Sequence, residues 1–198
     1  MSTTIATPQC NVLLGVCGGI AAYKAADLVS QLVKRNLSVR VVMTRGAPQF
    51  VGPITFEALA GQPVMTQTLA TGASPDGASA IEHISWAKWA DIAVIAPLTA
   101  STLGKLACGI ADDALTTVWM ALPQSTPNLL CPAMNTAMWE HPVVQRNIQW
   151  IDALRRYTWV EPVSKRLACG DVGVGGLADV ADIVAAVEAQ RALRSKTV

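Results

Sequence analysis

His83, Asn135 and Cys169 are the side chains of this sequence whose types and surroundings suit acid–base chemistry or the binding of a carboxylate. Cys169 lies in the segment RLACGDVGVGG, residues 166–176, whose four glycines follow neither a helical nor a strand period. We therefore predict that residues 164–178 form a mobile loop that carries the thiol over a bound substrate, where it supplies a proton. A surface linker without a chemical role is the alternative.

His83 and Asn135 each have a structural interpretation beside the functional one. A single histidine is more often structural, bonded near a helix start in the segment EHISWAKW, than part of a site. Asn135 follows an apolar run and has methionines on both sides, so its amide either satisfies a turn or holds a carboxylate in an apolar pocket. The other histidine, His141, precedes a proline and is predicted to stand at a helix entry.

Two further motifs are suited to holding an anion. GVCGGIAAYK, residues 15–24, places glycines between an apolar run and a helical pattern, as phosphate-binding turns do, but it is neither GxGxxG nor GxxxxGKS. PLTASTLGK, residues 97–105, offers the hydroxyls of Thr99, Ser101 and Thr102 where a helix is predicted to begin. These hydroxyls either cap that helix or hold a phosphate or the edge of a ring.

Composition indicates one domain, residues 1–198, and argues against several classes of protein. Hydrophobic residues make up 52% of the chain and charged residues 15%, and the mean hydropathy of +0.37 predicts apolar surface that packs against other subunits. A net charge of +1 without a basic run argues against nucleic-acid binding. No uncharged apolar stretch is long enough to span a membrane, and the N-terminus lacks the regions of a signal peptide.

The five cysteines are odd in number and include no CxxC spacing, and the sequence has only two histidines. We therefore predict neither a disulfide framework nor a metal site, and free thiols suit a reducing cytoplasm. Cys131 falls in a predicted strand and Cys108 in a predicted helix, so both are expected to be buried.

Apolar periodicity predicts the elements that position these residues. A strand over 11–16, a helix with apolar positions Ala21, Ala25, Leu28 and Leu32, and a strand over 37–44 form a βαβ unit. Further strands are predicted over 90–97, 128–135 and 158–162. Further helices are predicted over 102–122 with a break near Gly109, along the face Val144, Ile148, Ile151 and Leu154, and after an Asp179 cap.

This alternation predicts a doubly wound α/β domain, flavodoxin-like or Rossmann-like, with a mainly parallel sheet and helices on both faces. Its core covers about residues 10–185. Such sheets bind ligands at the carboxyl ends of their strands. The glycine pair, Thr44, the hydroxyl cluster and Asn135 all lie at or just after the ends of predicted strands, so we expect them to share one site.

The chain resembles the flavin-dependent cysteine decarboxylases, and within them the phosphopantothenoylcysteine decarboxylases of coenzyme A biosynthesis. The segments that carry this resemblance are GGIAAYK, EHISWAKWADIAVIAPLTASTLGK, PAMNTAMW and ACGDVGVGG. The resemblance covers about residues 10–185. It implies a flavodoxin-like fold, FMN held between subunits, and a homo-oligomer that is either a trimer or a dodecamer.

The resemblance also implies roles for individual residues. His83 becomes an acid–base group beside the flavin, Asn135 the holder of the substrate carboxylate, and Cys169 the proton donor of the closing step. Flavin contacts fall on Gly18, Gly19, Thr44, Thr99, Ala100, Ser101 and Thr102, and substrate contacts on Asn135, Met138, Ala168 and Gly170. Members of the family often carry asparagine where Ser101 and Asp113 stand here.

The implied reaction is FMN-dependent decarboxylation of 4'-phosphopantothenoylcysteine to 4'-phosphopantetheine. Cysteine has no β-carbonyl to accept electrons from a departing carboxylate, so transient oxidation of its thiol by a flavin provides the sink, and reduction follows CO2 loss. The alternatives are a peptidyl-cysteine decarboxylase, which stops at the enethiol, and a flavoprotein regulator without activity. The ACGD segment, typically absent from peptide-modifying relatives, favours the coenzyme A precursor, and the lack of GxGxxG disfavours an NAD-dependent dehydrogenase.

Overall fold

Six parallel strands form the main sheet, and their order determines where a ligand can bind. The computed structural model describes residues 10–67, 82–166 and 172–194. The strands pair in the order β3-β2-β1-β4-β5-β6, and their bounds are β1 (Asn11–Val16), β2 (Ser38–Met43), β3 (Val64–Met65), β4 (Ile92–Leu98), β5 (Asn128–Pro132) and β6 (Thr158–Trp159). Without the short edge strand β3, this is the flavodoxin-like order. Successive strands add on one side of β1 and then on the other, so a crevice opens beyond the carboxyl ends of β1 and β4.

Helices cover both faces of the sheet because the central strands are apolar on both sides. One face holds α1 (Ala22–Lys34), α2 (Pro53–Ala60) and α8 (Val180–Arg194), and the other holds α3 (Glu82–Trp89), α4 (Ala100–Cys108), α5 (Ala114–Met120) and α7 (Pro142–Ala153). The short helix α6 (Thr136–Trp139) follows β5. In β1, Val12 and Leu14 pack on the first face and Leu13 on the second, and every residue of β4 is buried. The predicted doubly wound α/β class is confirmed.

The predicted helix break near Gly109 is confirmed, and it separates α4 from α5. Gly109 takes φ +69° at the end of α4, a left-handed conformation that favours glycine. Asp113 then opens α5 through a capping box. Its carboxylate accepts a hydrogen bond from the Thr116 amide at 2.9 Å, and the Thr116 hydroxyl accepts one from the Asp113 amide at 3.2 Å.

One prediction of burial and one predicted helix position are wrong. Cys108 is exposed, because it is the last residue of α4 and lies off the face on which Leu103 and Leu106 pack. Leu154 follows α7 as its C-cap and is 59% exposed, although Ile151 is buried. At the end of a helix, the periodic spacing of apolar residues no longer predicts which side chains are buried against the sheet. In the ranges that the structure describes, no helix is long and apolar enough to cross a membrane.

The segment 163–176 departs most from its prediction. It contains β7 (Val163–Arg166) and β8 (Val172–Gly176), which pair antiparallel, where we expected an irregular loop. Residues 175–178 are buried, so this part of the chain joins the core. The strand pattern is hidden in the sequence because glycine has no side chain that could alternate between two faces. The predicted site residues Ala168, Cys169 and Gly170 lie outside the described residues.

At Gly175, β8 packs against the loop after β5 and is hydrogen-bonded to it. The Met134 amide donates a hydrogen bond to the Gly175 carbonyl at 2.8 Å. Gly175 has φ +133°, in the region that favours glycine, and a Cβ there would collide with the Met134 carbonyl oxygen. Both constraints forbid a side chain, so this position holds the hairpin of β7 and β8 against the rest of the domain.

We expect Gly175→Ala to lower the free energy of unfolding by about 2–4 kcal/mol, because a strained backbone and a backbone collision act together. Urea denaturation followed by circular dichroism measures the change. Gly52→Ala is the matched control, since Gly52 has φ −65° and its added Cβ would make only an ordinary contact with Ile54 at 3.9 Å. The control should lose less than about 1 kcal/mol. Equal losses in both variants would contradict the role of Gly175.

Candidate functional site

Two adjoining cavities open at the carboxyl edge of the sheet. The smaller has a volume of about 210 Å³ and is lined by Gly18, Thr44, Arg45, Gly46, Thr99, Ser101, Thr102, Lys105 and Asp113. The larger has a volume of about 760 Å³, and its walls include Gly19, Ala100, Asn135 and Met138. Because Gly18 and Thr99 line both, the two cavities meet where β1 and β4 end. All the predicted flavin contacts therefore lie in the walls of these two cavities.

The glycine turn after β1 lies directly against the turn after β2. A Cβ on Gly18 would be 2.8 Å from the carbonyl carbon of Gly46, so only a glycine lets the two backbones approach this closely. The Gly18 amide donates a hydrogen bond to Thr44 Oγ1 at 3.1 Å. These contacts bring the glycine turn and Thr44 together in the wall of the smaller cavity.

Thr99 caps α4 and connects it to the end of β1. Thr99 Oγ1 accepts from the Thr102 amide at 3.4 Å, and its hydroxyl donates to Thr102 Oγ1 at 3.3 Å. The buried Cys17 thiol donates to the same Thr102 oxygen at 3.2 Å. Burial raises the pKa of Cys17, so the thiol stays protonated and remains a donor near neutral pH. The predicted cap is confirmed, and the same hydroxyls also line the smaller cavity.

The smaller cavity has the chemistry of an anion site. Arg45 and Lys105 bring positive charge to its wall, and α4 begins beside it, where a helix has amides without intrahelical partners. The hydrogen bond that Lys105 donates to Asp112, and next the one to Asp113, raise the pKa of the Lys105 ammonium, which therefore stays charged. Sequence reasoning missed both basic residues. The spacing of Lys105 from Ser101, one helical turn, is the signal that would have indicated it.

The larger cavity is mostly apolar. Ile20, Tyr23, Pro97, Ala133, Met134 and Leu177 contribute to its walls, and Lys24 and Asn135 bring polar groups. Asn135 caps α6, and its Oδ1 accepts from the Ala137 amide at 2.8 Å. The structural role predicted for Asn135 is therefore observed, and the residue also lines the cavity. A chamber of this size joined to an anion site suits a ligand with an apolar ring and a charged tail.

His83 lies at the same edge of the sheet but lines neither cavity. It is half-buried in the first turn of α3. At the other end of α3, the Trp89 carbonyl accepts from Asn11 Nδ2 at 3.0 Å beside the start of β1, so the first turn lies toward the carboxyl edge. Within one chain, Asn135 and Met138 line the same cavity, whereas His83 lines neither cavity. His141 caps α7, as predicted, and its Nδ1 accepts from the Val143 amide at 3.2 Å.

The family described as Flavoprotein matches residues 2–192. The chain belongs to this family. The flavoprotein is 45% identical over 180 residues to a probable phosphopantothenoylcysteine decarboxylase of Streptococcus mutans, which covers 91% of this chain and 98% of that protein. It is 42% identical to a phosphopantothenoylcysteine decarboxylase of Mus musculus, over 90% of this chain and 86% of that one. A bifunctional coenzyme A biosynthesis protein of Bacillus subtilis is 46% identical, but the flavoprotein spans 42% of its length.

Solved structures with the same fold include a decarboxylase and an FMN binding protein. A cysteine-to-serine mutant of PPC decarboxylase, complexed with pantothenoylaminoethenethiol, superposes with a TM-score of 0.82 at 34% identity, over 90% of this chain and 96% of that one. The FMN binding protein AtHal3 superposes with a TM-score of 0.78 at 34% identity, over 91% and 95%. The predicted flavodoxin-like fold and the predicted family are confirmed.

We expect iodoacetamide at about pH 8 to label Cys108 of the native flavoprotein and to leave Cys17 and Cys131 unmodified. Cys108 is exposed, whereas Cys17 and Cys131 have 0% exposure. Burial raises the pKa of both buried thiols, which depletes the nucleophilic thiolate. Mass spectrometry of proteolytic peptides measures each site, and a urea-unfolded sample is the control in which all of them react. Native labelling of Cys17 as fast as Cys108 would contradict the described packing.

Proposed function

We propose that this flavoprotein catalyses the FMN-dependent decarboxylation of 4'-phosphopantothenoylcysteine to 4'-phosphopantetheine in coenzyme A biosynthesis. The observation that carries the proposal is the junction of an anion-binding cavity with an apolar cavity that has Asn135 in its wall. Relatives named phosphopantothenoylcysteine decarboxylase, at 45% and 42% identity over most of their length, support the choice of substrate.

The residues of the two cavities fit FMN. At Gly18 the turn after β1 has no room for a side chain, so its backbone can lie beside a phosphate, which would also meet the hydroxyls of Thr44, Thr99, Ser101 and Thr102. Gly19 and Ala100 line the apolar cavity, whose volume of about 760 Å³ is large enough for a ring system. FMN, when bound there, would accept two electrons from the substrate thiol and return them after CO2 has left.

Asn135 and Cys169 are proposed to act on the substrate itself, Asn135 by binding its carboxylate and Cys169 by donating a proton. The Asn135 amide would hold the substrate carboxylate beside Met138, in a cavity whose apolar walls keep water away from the reacting atoms. An amide is uncharged, so it orients the carboxylate without stabilising its negative charge as strongly as a cation would. We propose Cys169 as the acid that protonates the unsaturated thiol after CO2 loss, with Ala168 and Gly170 beside the substrate.

We further propose a homo-oligomer, a trimer or a dodecamer, in which His83 serves the site of a neighbouring copy. Ile20 is 63% exposed, Tyr23 61% and Met138 49%, and all three line the larger cavity. A second copy would cover this apolar rim. His83 lies at the same edge of the sheet but outside its own chain's cavities, which suits an acid–base group reaching across an interface. Each copy is proposed as a single domain acting in the cytoplasm, where buried free thiols such as Cys10 stay reduced.

We expect His83→Asn and Asn135→Asp to be inactive alone and to regain activity when the two are unfolded, mixed and refolded together. His83→Asn removes the acid–base group, and Asn135→Asp sets a negative charge against the substrate carboxylate. If each site takes its histidine from a neighbour, about a quarter of the mixed sites hold both native residues. The assay is release of CO2, and each variant refolded alone is the control. Activity that stays absent after mixing would contradict the shared site.

The wild-type chain should convert phosphopantothenoylcysteine to the saturated amine thiol, whereas Cys169→Ser should release an unsaturated thiol lighter by two hydrogens. A serine hydroxyl is a far weaker acid than a thiol, whose pKa is about 8.5, so protonation of the unsaturated product fails after CO2 loss. The two electrons would then stay on the bound flavin, and the reaction should stop after about one turnover per site. The solved cysteine-to-serine mutant complexed with pantothenoylaminoethenethiol supports this expectation. Mass spectrometry of the products makes the measurement.

Cys108→Ser is the matched control for this experiment, because Cys108 is exposed and lines neither cavity. It should give the saturated product at the wild-type rate. The same product at the same rate from Cys169→Ser would remove the cysteine from the mechanism. A wild-type chain that acts only on a peptide ending in cysteine would be a peptidyl-cysteine decarboxylase, and one that binds FMN without releasing CO2 would be a regulator.

A further inference from the structure

Lys105 lines the anion cavity and also forms ion pairs with two carboxylates. Its Nζ lies 2.6 Å from Asp112 Oδ1 and 2.8 Å from Asp113 Oδ2. The Asp112 side chain is 59% exposed and that of Asp113 only 10%. Asp113 lines the smaller cavity together with Lys105, whereas Asp112 is absent from its lining. An anion in that cavity therefore has one carboxylate as a close neighbour.

The two partners of this ion pair differ in freedom. Asp113 is held by the start of α5, because its Oδ1 accepts from the Thr116 amide at 2.9 Å and from the Thr116 hydroxyl at 3.0 Å. Lys105 carries its ammonium on a flexible four-carbon chain and has no comparable anchor besides the two carboxylates. When a second anion enters the cavity, the ammonium is therefore the group that moves, and the Asp113 carboxylate stays in place.

We propose that Asp113 is a positioning residue that competes with the phosphate of the bound flavin for the ammonium of Lys105, and so limits how tightly the phosphate is held. This inference rests on the proposed function, since it takes FMN as the ligand. Competition of this kind is reciprocal: the ion pair weakens phosphate binding, and the phosphate weakens the ion pair by the same factor. Asp112 contributes less, because its exposed carboxylate is screened by water and salt.

The test compares the dissociation constants of FMN and riboflavin, measured by quenching of flavin fluorescence. Asp113→Asn should tighten FMN binding about tenfold, a usual size for coupling between two bound groups, because the Lys105 ammonium then has one charged carboxylate fewer to leave when the phosphate binds. Riboflavin, which has no phosphate, should bind as it does to the wild type. Asparagine keeps an acceptor for the Thr116 amide, so the thermal midpoint should change little. Asp112→Asn, which alters the other carboxylate on the same ammonium, should change FMN affinity less than about threefold.

A Lys105→Gln background separates competition from direct repulsion. If Asp113 acts through Lys105, then Asp113→Asn should alter FMN affinity less than about threefold once the ammonium is gone. A full tenfold gain in that background, or an equal gain in riboflavin affinity, would overturn the proposal while leaving FMN binding intact. A wild-type chain that binds neither flavin would overturn the proposed function, and this inference with it.

Discussion

The site depends on one contact between two stretches of backbone. The turns that follow β1 and β2 touch at Gly18 and Gly46, so closely that a single added carbon would not fit. No side chain can enter between them, and the Gly18 amide donates a hydrogen bond to Thr44 Oγ1, which lies in the wall of the smaller cavity. The parallel pairing of β1 with β4, from Val12 opposite Ile92 to Gly15 opposite Ile95, brings the start of α4 to the other side. Gly18 and Thr99 therefore face the same space although they are far apart in the chain.

The two cavities differ in the chemistry of their walls. In the smaller one, rigid groups near the backbone and the basic side chains Arg45 and Lys105 suit a charged tail. In the larger one, the walls are mostly apolar and Asn135 is one of the few polar groups. The hydrogen bond from Cys17 to Thr102 runs behind the junction and joins the end of β1 to α4. This hydrogen bond helps to fix the position of the α4 hydroxyls relative to the glycine turn.

Much of this architecture was predictable because apolar periodicity and turn residues are local properties. Leu28 and Leu32 mark the buried face of α1, Gly109 marks the end of α4, and the motifs that follow strands meet at one edge. The hairpin of β7 and β8 was missed because glycine carries no alternating pattern. Lys105 was missed because its ion pairs depend on how the turn between α4 and α5 folds back. The separation of His83 from its own chain's cavities follows from the placement of α3, which no local motif encodes.

The attachment of β8 to the loop after β5 has a consequence for protein engineering. Gly175 lies against the Met134 carbonyl, and a Cβ on Gly173 would be 2.5 Å from Thr136 Oγ1, so two glycines of β8 are matched to the segment that carries Asn135. The hairpin and α6 are distant in sequence but act as one module in space. A chimaera that imports the hairpin of a relative should therefore import that relative's α6 with it.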